Sequence, residues 1–344
     1  MSRLPLLGHH EVIVALVLVL AILGVGAVNP AFFSLFNMFS ILKNSTVIGL
    51  FAIGFFLVLV VGGLDVSFTA IGVFGMYATI KLAIAFFPEA PFVFLCGVAL
   101  VIGGGLGLIN GLLVTQLGAP SLIVTLGTLS LYRGFLLFFI GTDTIRKVPQ
   151  SVAEFARTNV LSLTASNGAQ VGLHVSVLIF LFAALVVFLV LRMTTLGRSL
   201  YAVGGNRVAA FRIGIQVKTV ETIAYTAAGA LAGLAGLLSG AALRLANPQS
   251  LVGSELDVIA AAVLGGAAIT GGRGNVIGVC LGVLLIVITN NSLILLGIPS
   301  QWQKVAVGMM LLAAIGLPLL GRRRSRTGST SIAASPREAA ATGG

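Results

Sequence analysis

Long apolar runs recur along almost the whole chain, and they constrain the fold more than any other feature. A helix needs about 20 apolar residues to cross the hydrocarbon core of a membrane, and several of these runs reach that length. Only 8% of the residues are charged, whereas soluble domains carry about a quarter. The pattern predicts an all-α polytopic membrane protein.

The apolar runs predict about ten transmembrane helices. The run at 255–270 is short and rich in small residues, which favours a buried or partly re-entrant segment. A transmembrane domain of residues 1–320 is expected, followed by a disordered basic cytoplasmic tail at 321–344 that is rich in Ser, Thr, Ala, Gly and Arg. The expected spans lie near 12–28, 47–62, 66–86, 92–116, 120–140, 171–192, 218–243, 255–270, 274–297 and 302–320.

Lys and Arg are distributed unevenly between the spans, which indicates the orientation in the membrane. With a cytoplasmic N-terminus, the inner side receives the basic loop 193–217, Arg273 and the basic run that starts at Arg322. The polar loop 141–170 then lies on the extracytoplasmic side. Both termini are therefore expected to be cytoplasmic.

Two short segments hint at an internal repeat. Residues 62–66 read Gly-Gly-Leu-Asp-Val and residues 253–258 read Gly-Ser-Glu-Leu-Asp-Val, and each segment opens a span. In the expected topology the first segment faces the inside and the second the outside. Inverted repeats of this kind are common in transporters, where the transport pathway lies at their interface.

The sequence lacks the usual motifs of catalysis and metal binding. His9, His10 and His174 have no metal-ligand spacing, and the turn at 271–274 lacks the Lys and Ser/Thr of a phosphate-binding loop. The net charge of +11 is spread between apolar runs and does not predict a nucleic-acid interface. We expect no enzyme active site and no metal site, and any ATP used must be bound by another chain.

Several polar residues lie inside or at the edges of the spans and are candidates for a translocation path. Hydroxyl and amide groups suit an uncharged, hydroxyl-rich solute, although each of them could equally bond between helices. The candidates are Asp65, Ser67, Asn110, Thr125, Thr128, Asn290 and Asn291.

The ionisable residues near the spans favour structural roles. Asp65 and Asp257 stand at span edges, where a carboxylate suits the positive end of a helix. Arg133 is within a span, where either a buried ion pair or a path-lining role is open. Glu221 alone does not form the acid relay that a proton-coupled pump needs. This argues against an ion-coupled secondary transporter, although sodium coupling through backbone carbonyls stays open.

The most specific pattern is in the basic loop, where residues 195–215 read TLGRSLYAVGGNRVAAFRIGI. This segment resembles permease subunits of ribose-type ABC importers, in the branched-chain amino acid and sugar permease family. The resemblance runs from about residue 45 to 320. The supporting segments are 62–67, 110–111, 120–127, 133–134, 255–261, 264–266, 271–274 and 290–291.

The resemblance implies a permease in the bacterial inner membrane that carries a monosaccharide or a related hydroxylated solute by alternating access. It implies three partners: a second permease copy or paralogue, a cytoplasmic ATPase subunit that binds ATP and Mg²⁺, and a periplasmic or extracellular substrate-binding protein. No cofactor is expected in this chain.

The resemblance also implies a coupling helix that docks on the ATPase. A short helix over 206–211 fits the sequence, because Asn206 can cap it. Ala209 and Ala210 are expected to offer a small docking surface, while Arg207 and Arg212 are expected to pair with acids of the ATPase. The coupling residues are Gly204, Gly205, Asn206, Arg207, Ala209, Ala210, Arg212 and Gly214.

Some residues depart from the family pattern and leave the cargo open. Phe68-Thr69-Ala70 replaces a run of small residues after Ser67, so the packing or path lining there is expected to differ. Residues 125–134 and 298–302 resemble the autoinducer-2 and rhamnose branch, which makes a hydroxylated signalling furanone an alternative cargo. Branched-chain amino acids rank lower, because the sequence shows no anchored charge for a zwitterion.

Overall fold

The computed structural model describes residues 9–164 and 170–314. Within this part of the chain, eight helices are long and apolar enough to cross a membrane. The helices are α1 (His9–Val28), α2 (Leu35–Val60), α3 (Phe68–Phe86), α4 (Phe92–Leu117), α5 (Ser121–Phe135, continued by a π-helical turn Leu136–Ile140), α6 (Gln150–Phe155), α7 (Ser176–Met193), α8 (Thr195–Gly205), α9 (Arg207–Arg212), α10 (Val217–Leu243), α11 (Glu255–Leu264), α12 (Val276–Leu295) and α13 (301–314).

The protein is an all-α polytopic membrane protein, as predicted, and its short elements account for the remaining expected spans. At 10 residues, α11 is about 15 Å long and crosses only half of a core of about 30 Å. Val258 and residues 260–262 are buried, which agrees with the buried alternative predicted for 255–270, whereas the re-entrant alternative stays a prediction. The rest of the last predicted span and the predicted tail at 321–344 lie outside the described residues.

The predicted loop at 141–170 contains regular structure that the sequence analysis missed. It holds α6 and strand β1 (Asn159–Thr164), which pairs antiparallel with β2 (Gln170–His174). The span predicted at 171–192 is therefore wrong at its start, because residues 171–174 belong to β2 and α7 begins at Ser176. Their apolar character reflects packing of the hairpin against α2.

At the centre of the bundle, α10 packs against α4, α3 and α2. Its contact with α4 is a backbone contact. A Cβ atom at Gly229 would lie 2.7 Å from the Cα of Gly107 and would overlap the carbonyl oxygen of Gly103. Small residues allow this approach in membranes, where packing replaces the hydrophobic driving force.

The described chain has two ends with different contents. At one end the last turn of α2 meets α8 and the turn at 265–275, and the Gly272 amide donates to the Val60 carbonyl at 2.9 Å. At the other end lie the β-hairpin and a two-residue bridge between Ile145 and Ala246. We call these the α8 end and the hairpin end.

The close contact between α10 and α4 predicts that residues larger than glycine are not tolerated at Gly229. Gly229→Ala is expected to destabilise the protein, because overpacking a tight contact costs about 1–3 kcal/mol. Gly105→Ala is the control, since Gly105 lies inside α4, the partner helix of α10, but has nothing within 4 Å of the new methyl group. Thermal melting of the detergent-purified variants checks this. Equal melting temperatures would show that the contact does not depend on glycine.

His174 ties the hairpin to its surroundings and gives it a pH dependence. Its ring nitrogens lie 2.8 Å from Ser176 Oγ and 3.1 Å from the Phe155 carbonyl oxygen. Burial, and secondarily the charge of Lys43, lower the pKa of His174 below its usual 6.5. The neutral form is thus the one the fold favours, and its stabilisation is lost as pH falls below about 6.5.

Hydrogen exchange of residues 159–164 is therefore expected to be faster at pH 5 than at pH 7.5. In His174→Gln, which cannot titrate, exchange corrected for its intrinsic pH dependence is expected to stay constant between the two pH values. The same corrected pH effect in both proteins would contradict the assignment to His174.

Candidate functional site

The first turns of α3 and α11 meet beside Arg133, which lies within the span of α5. An extended segment at 61–67 joins α2 to α3, and Thr69 in the first turn of α3 donates its hydroxyl to Glu255 Oε1 at 2.7 Å. Glu255 is the first residue of α11, about 15 Å from the end of that half-length helix. Broken helices of this kind line the binding sites of many transporters.

A buried polar cluster surrounds the start of α3. Ser67 donates both its amide and its hydroxyl to Asp65 Oδ1, at 2.8 and 2.7 Å. Asn110 of α4 donates to Ser67 Oγ at 2.7 Å, and the Tyr132 hydroxyl of α5 lies 2.9 Å from Asn110 Oδ1. These four residues, Asp65, Ser67, Asn110 and Tyr132, are at most 2% exposed and form what we call the inner cluster.

The start of α5 supplies the hydrogen bonds that the extended segment lacks. The Leu64 amide donates to Ser121 Oγ at 2.8 Å, and the Val66 amide approaches Thr125 Oγ1 at 3.3 Å. Thr125 in turn donates to the Leu64 carbonyl at 3.1 Å. Non-helical backbone at membrane depth requires such partners, so Thr125 is a structural support of the inner cluster.

An ion pair lies beside the inner cluster. Arg133 Nη2 and Glu255 Oε1 are 2.9 Å apart, and Thr69 Oγ1 lies 3.4 Å from the same nitrogen. The side chains of Arg133 and Glu255 are 28% and 19% exposed. The ion-pair role considered for Arg133 is thus present, and its partner is a residue that the sequence analysis did not select.

Both aspartates lie at helix starts, as predicted, and the structure refines the position of Asp65. Ser67, not Asp65, is the N-cap of α3, and Asp65 holds the Ser67 amide from two residues before. Asp257 lies in the first turn of α11, where its charge suits the helix dipole, and it pairs with Lys304 at 2.8 Å.

Not all predicted path residues come together. Asp65, Ser67, Asn110 and Thr125 converge, whereas Thr128 bonds to the carbonyl of Thr125 within α5. Asn290 and Asn291 lie on α12, which packs against α1, α2, α7 and α11. Their Oδ1 atoms are buried and have no partner within the described residues.

Three residues of this region were not among the predicted site residues: Tyr132 of the inner cluster, Glu255 of the ion pair, and Thr69, which bonds to the pair. A signal was present, since Tyr132 adjoins Arg133 and Glu255 is part of the suspected repeat. Among the residues that the structure describes, no three His, Cys, Asp or Glu side chains come together as metal ligands.

The predicted coupling segment is a two-helix turn at the α8 end. Asn206 Oδ1 accepts from the Ala209 amide at 2.9 Å and so caps α9, one residue from the predicted helix start. Tyr201 of α8 donates to the Gly274 carbonyl at 2.9 Å, and burial raises the pKa of Tyr201 to about 12, so the hydroxyl stays a donor.

One expectation for α9, the docking role of Ala210, is wrong. Ala210 is buried and cannot form part of a docking surface; the exposed apolar residues there are Val208, Phe211 and Ile213. Arg207 is paired within the chain, with Glu221 of α10 at 2.9 Å. Arg212 and Ala209 are exposed, as expected.

A cavity of about 460 Å³ lies between the coupling segment and the inner cluster. It is bounded by residues 61–63, 118–121 and 203–207, together with Glu221 and Tyr225 of α10. The Tyr225 hydroxyl is buried near Ser121 but makes no hydrogen bond of ordinary geometry within the described residues. The extended segment 61–67 thus reaches from this cavity to Asp65.

Comparison with known proteins places this architecture. Residues 37–315 match the family described as branched-chain amino acid transport system / permease component. The chain belongs to this permease family. It is therefore a transport subunit and not an enzyme, and the family resemblance inferred from residues 195–215 is confirmed.

Individual relatives cover most of the permease. The ribose import permease RbsC of Haemophilus influenzae is 33% identical over 88% of this chain and 90% of its own length. The D-allose transport system permease AlsC of Escherichia coli is 33% identical, covering 86% and 87%. The autoinducer 2 import permease LsrC of Photorhabdus luminescens is 31% identical, covering 91% of each chain. No solved structure matches the permease.

The inner cluster predicts a contrast between two tyrosines of the permease. Tyr132→Phe is expected to destabilise the protein by about 1–3 kcal/mol, because it removes the one hydroxyl proton that Asn110 Oδ1 and the Leu106 carbonyl share and leaves the buried Asn110 Oδ1 without its donor. Tyr225→Phe is the matched control, because its equally buried hydroxyl has no partner to lose. Denaturation of the purified variants measures both. A Tyr225→Phe variant as unstable as Tyr132→Phe would contradict the network.

Proposed function

We propose that the permease forms the translocation path for a monosaccharide or related hydroxylated solute in an ATP-driven importer that works by alternating access. The observation that carries this proposal is the inner cluster, a buried set of uncharged hydrogen-bonding groups with one carboxyl, at the meeting point of two broken helices. The relatives named for ribose and allose support the sugar class.

Two alternative cargos are hydroxylated furanone signals and branched-chain amino acids. The LsrC relative supports the first, and its cargo falls within the same hydroxylated class. Branched-chain amino acids ranked lower in the sequence analysis because the sequence showed no fixed charge for a zwitterion. The structure adds the charges of Arg133 and Glu255, but these two groups pair with each other at 2.9 Å. Amino acids therefore stay the less favoured cargo. A secondary transporter is disfavoured by the family membership.

The α8 end is the proposed site of ATPase docking. There α9 and its C-cap present Val208, Phe211 and Ile213, each more than 60% exposed, beside the exposed side chain of Arg212. The ATPase is proposed to bind ATP and Mg²⁺, and this end then faces the cytoplasm together with both termini. The hairpin end is the proposed docking side for the substrate-binding protein.

A second permease copy or a paralogue is the proposed partner within the membrane. Outside the buried stripe that carries Thr125, Thr128 and Tyr132, the broad remaining face of α5 is exposed and largely apolar, including Leu122, Leu126, Leu131 and Phe138. We propose that the path closes between this face and the second permease.

Uptake of radiolabelled D-ribose and D-allose by cells that express the permease with its neighbouring ATPase and binding-protein genes tests the proposal. Uptake that follows cellular ATP and resists an uncoupler is expected. Transport by the permease alone, in vesicles that lack ATP but hold an ion gradient, would overturn it.

The docking proposal predicts uncoupling by a charge on α9. Ala209→Glu is expected to lower sugar uptake at least tenfold while the protein still inserts, because Ala209 is exposed beside the apolar docking residues. Thr195→Glu is the control, since it adds the same charge at an exposed position on the first turn of α8. Unchanged uptake in Ala209→Glu would show that α9 is not the docking element.

A further inference from the structure

The ion pair of Arg133 and Glu255 is unusual for its place in the fold. Arg133 is the thirteenth residue of the span Ser121–Ile140, about 18 Å from the start of that helix and about 10 Å from its end. Both side chains retain exposed surface. Charged groups that face lipid at such depth are costly and usually face a water-filled cavity.

The surroundings of the pair leave room for a solute. The positions next to Arg133 on the open side of α5 are Ser130 and Gly134, and a Cβ at Gly134 would meet nothing within 4 Å. On α11 the neighbouring Leu256 is 52% exposed. The surface beside the pair is therefore uncovered within the described residues and is bordered on α5 by small residues; we call this surface the opening.

The pair also has unused hydrogen-bonding capacity. Glu255 uses only Oε1, toward Thr69 and Arg133, and Arg133 uses only Nη2. Within the described residues, Glu255 Oε2 and the Nε and Nη1 groups of Arg133 make no hydrogen bond. An acceptor and several fixed donors thus lie side by side at the opening.

We propose that Arg133 and Glu255 form a water-facing subsite that binds two adjacent hydroxyl groups of the cargo, an inference that rests on the proposed function. One hydroxyl donates to Glu255 Oε2, and the oxygen of its neighbour accepts from the guanidinium of Arg133. Both bonds are charge-assisted, while the pair itself stays neutral. Thr69 holds Glu255 in position from the first turn of α3.

Cysteine labelling of the assembled transport complex in membrane vesicles tests whether the subsite is wet. The background carries Cys96→Ser and Cys280→Ser, which removes the native thiols. Leu256→Cys is expected to react with a charged methanethiosulfonate at least tenfold faster than Leu20→Cys. Leu20 is the matched control, because it is 60% exposed on the peripheral helix α1. Equal rates would overturn the proposal.

The same labelling identifies the ligand class. Saturating D-ribose or D-allose is expected to slow the reaction of Leu256→Cys at least threefold, and L-leucine is expected to leave it unchanged. Protection by L-leucine but by neither sugar would overturn the hydroxyl assignment in favour of a zwitterion.

Uptake provides a second, independent measurement. Glu255→Gln is expected to lower D-ribose or D-allose uptake at least tenfold, whereas Asp257→Asn, in the same helical turn but paired with Lys304, is expected to keep most of it. Labelling does not require a change at Glu255 and decides the matter even where Glu255→Gln fails to fold. Normal uptake by Glu255→Gln overturns only the subsite, whereas a wild-type complex that takes up neither sugar overturns the proposed function.

Discussion

Backbone contact between α10 and α4 is the constraint on which the rest of the structure depends. Lipid tails are as apolar as leucine, so helices in a bilayer gain from close packing and not from leaving water. Gly229 against Gly103 and Gly107 brings the two backbones together, and α10 then holds α3 and α2 on its other sides. This rigid centre fixes the position of α3, whose first turn lies beside Arg133 within the span of α5.

A helix that starts inside the membrane leaves backbone amides without partners, and the fold answers this with side chains from a neighbouring helix. Ser121 and Thr125 at the start of α5 take up the polar groups of residues 64–66. The break is stable because it is buried in protein. Its by-product is the inner cluster, in which Asp65 Oδ1, Ser67 and Asn110 are joined by hydrogen bonds, while Asp65 Oδ2 is buried without a partner among the described residues.

The sequence predicted the helical architecture well because hydropathy at the scale of a span is a strong signal. It also located the cap at Asn206, a local property of three residues. It missed the hairpin at 159–174 because the apolar residues of β2 merge with those of α7. It grouped Asn290 and Asn291 with the inner cluster because residue type does not reveal which helix face meets which neighbour.

The pairing of Arg133 with Glu255 shows the limit of sequence reasoning in another way. The two residues are 122 positions apart, and no local pattern links them. The pair forms because the first residue of the short helix α11, Glu255, lies beside Arg133 within the span of α5. The suspected repeat of residues 62–66 and 253–258 selected two segments that lie at the starts of α3 and α11. In the structure these two helix starts are in contact.

The connection between the α8 end and the inner cluster follows from one tight contact. A Cβ at Gly204 would overlap the carbonyl oxygen of Val60 and lie 2.7 Å from the amide nitrogen of Gly272. The backbones of α8, α2 and the turn at 265–275 are therefore in direct contact. Val60 directly precedes the extended segment that ends at Ser67. Close-packed contacts transmit displacement because they have no slack to absorb it. A shift of α8 must therefore move residues 61–67 or open this contact, and either change alters the hydrogen bonds that hold Asp65 and the start of α3.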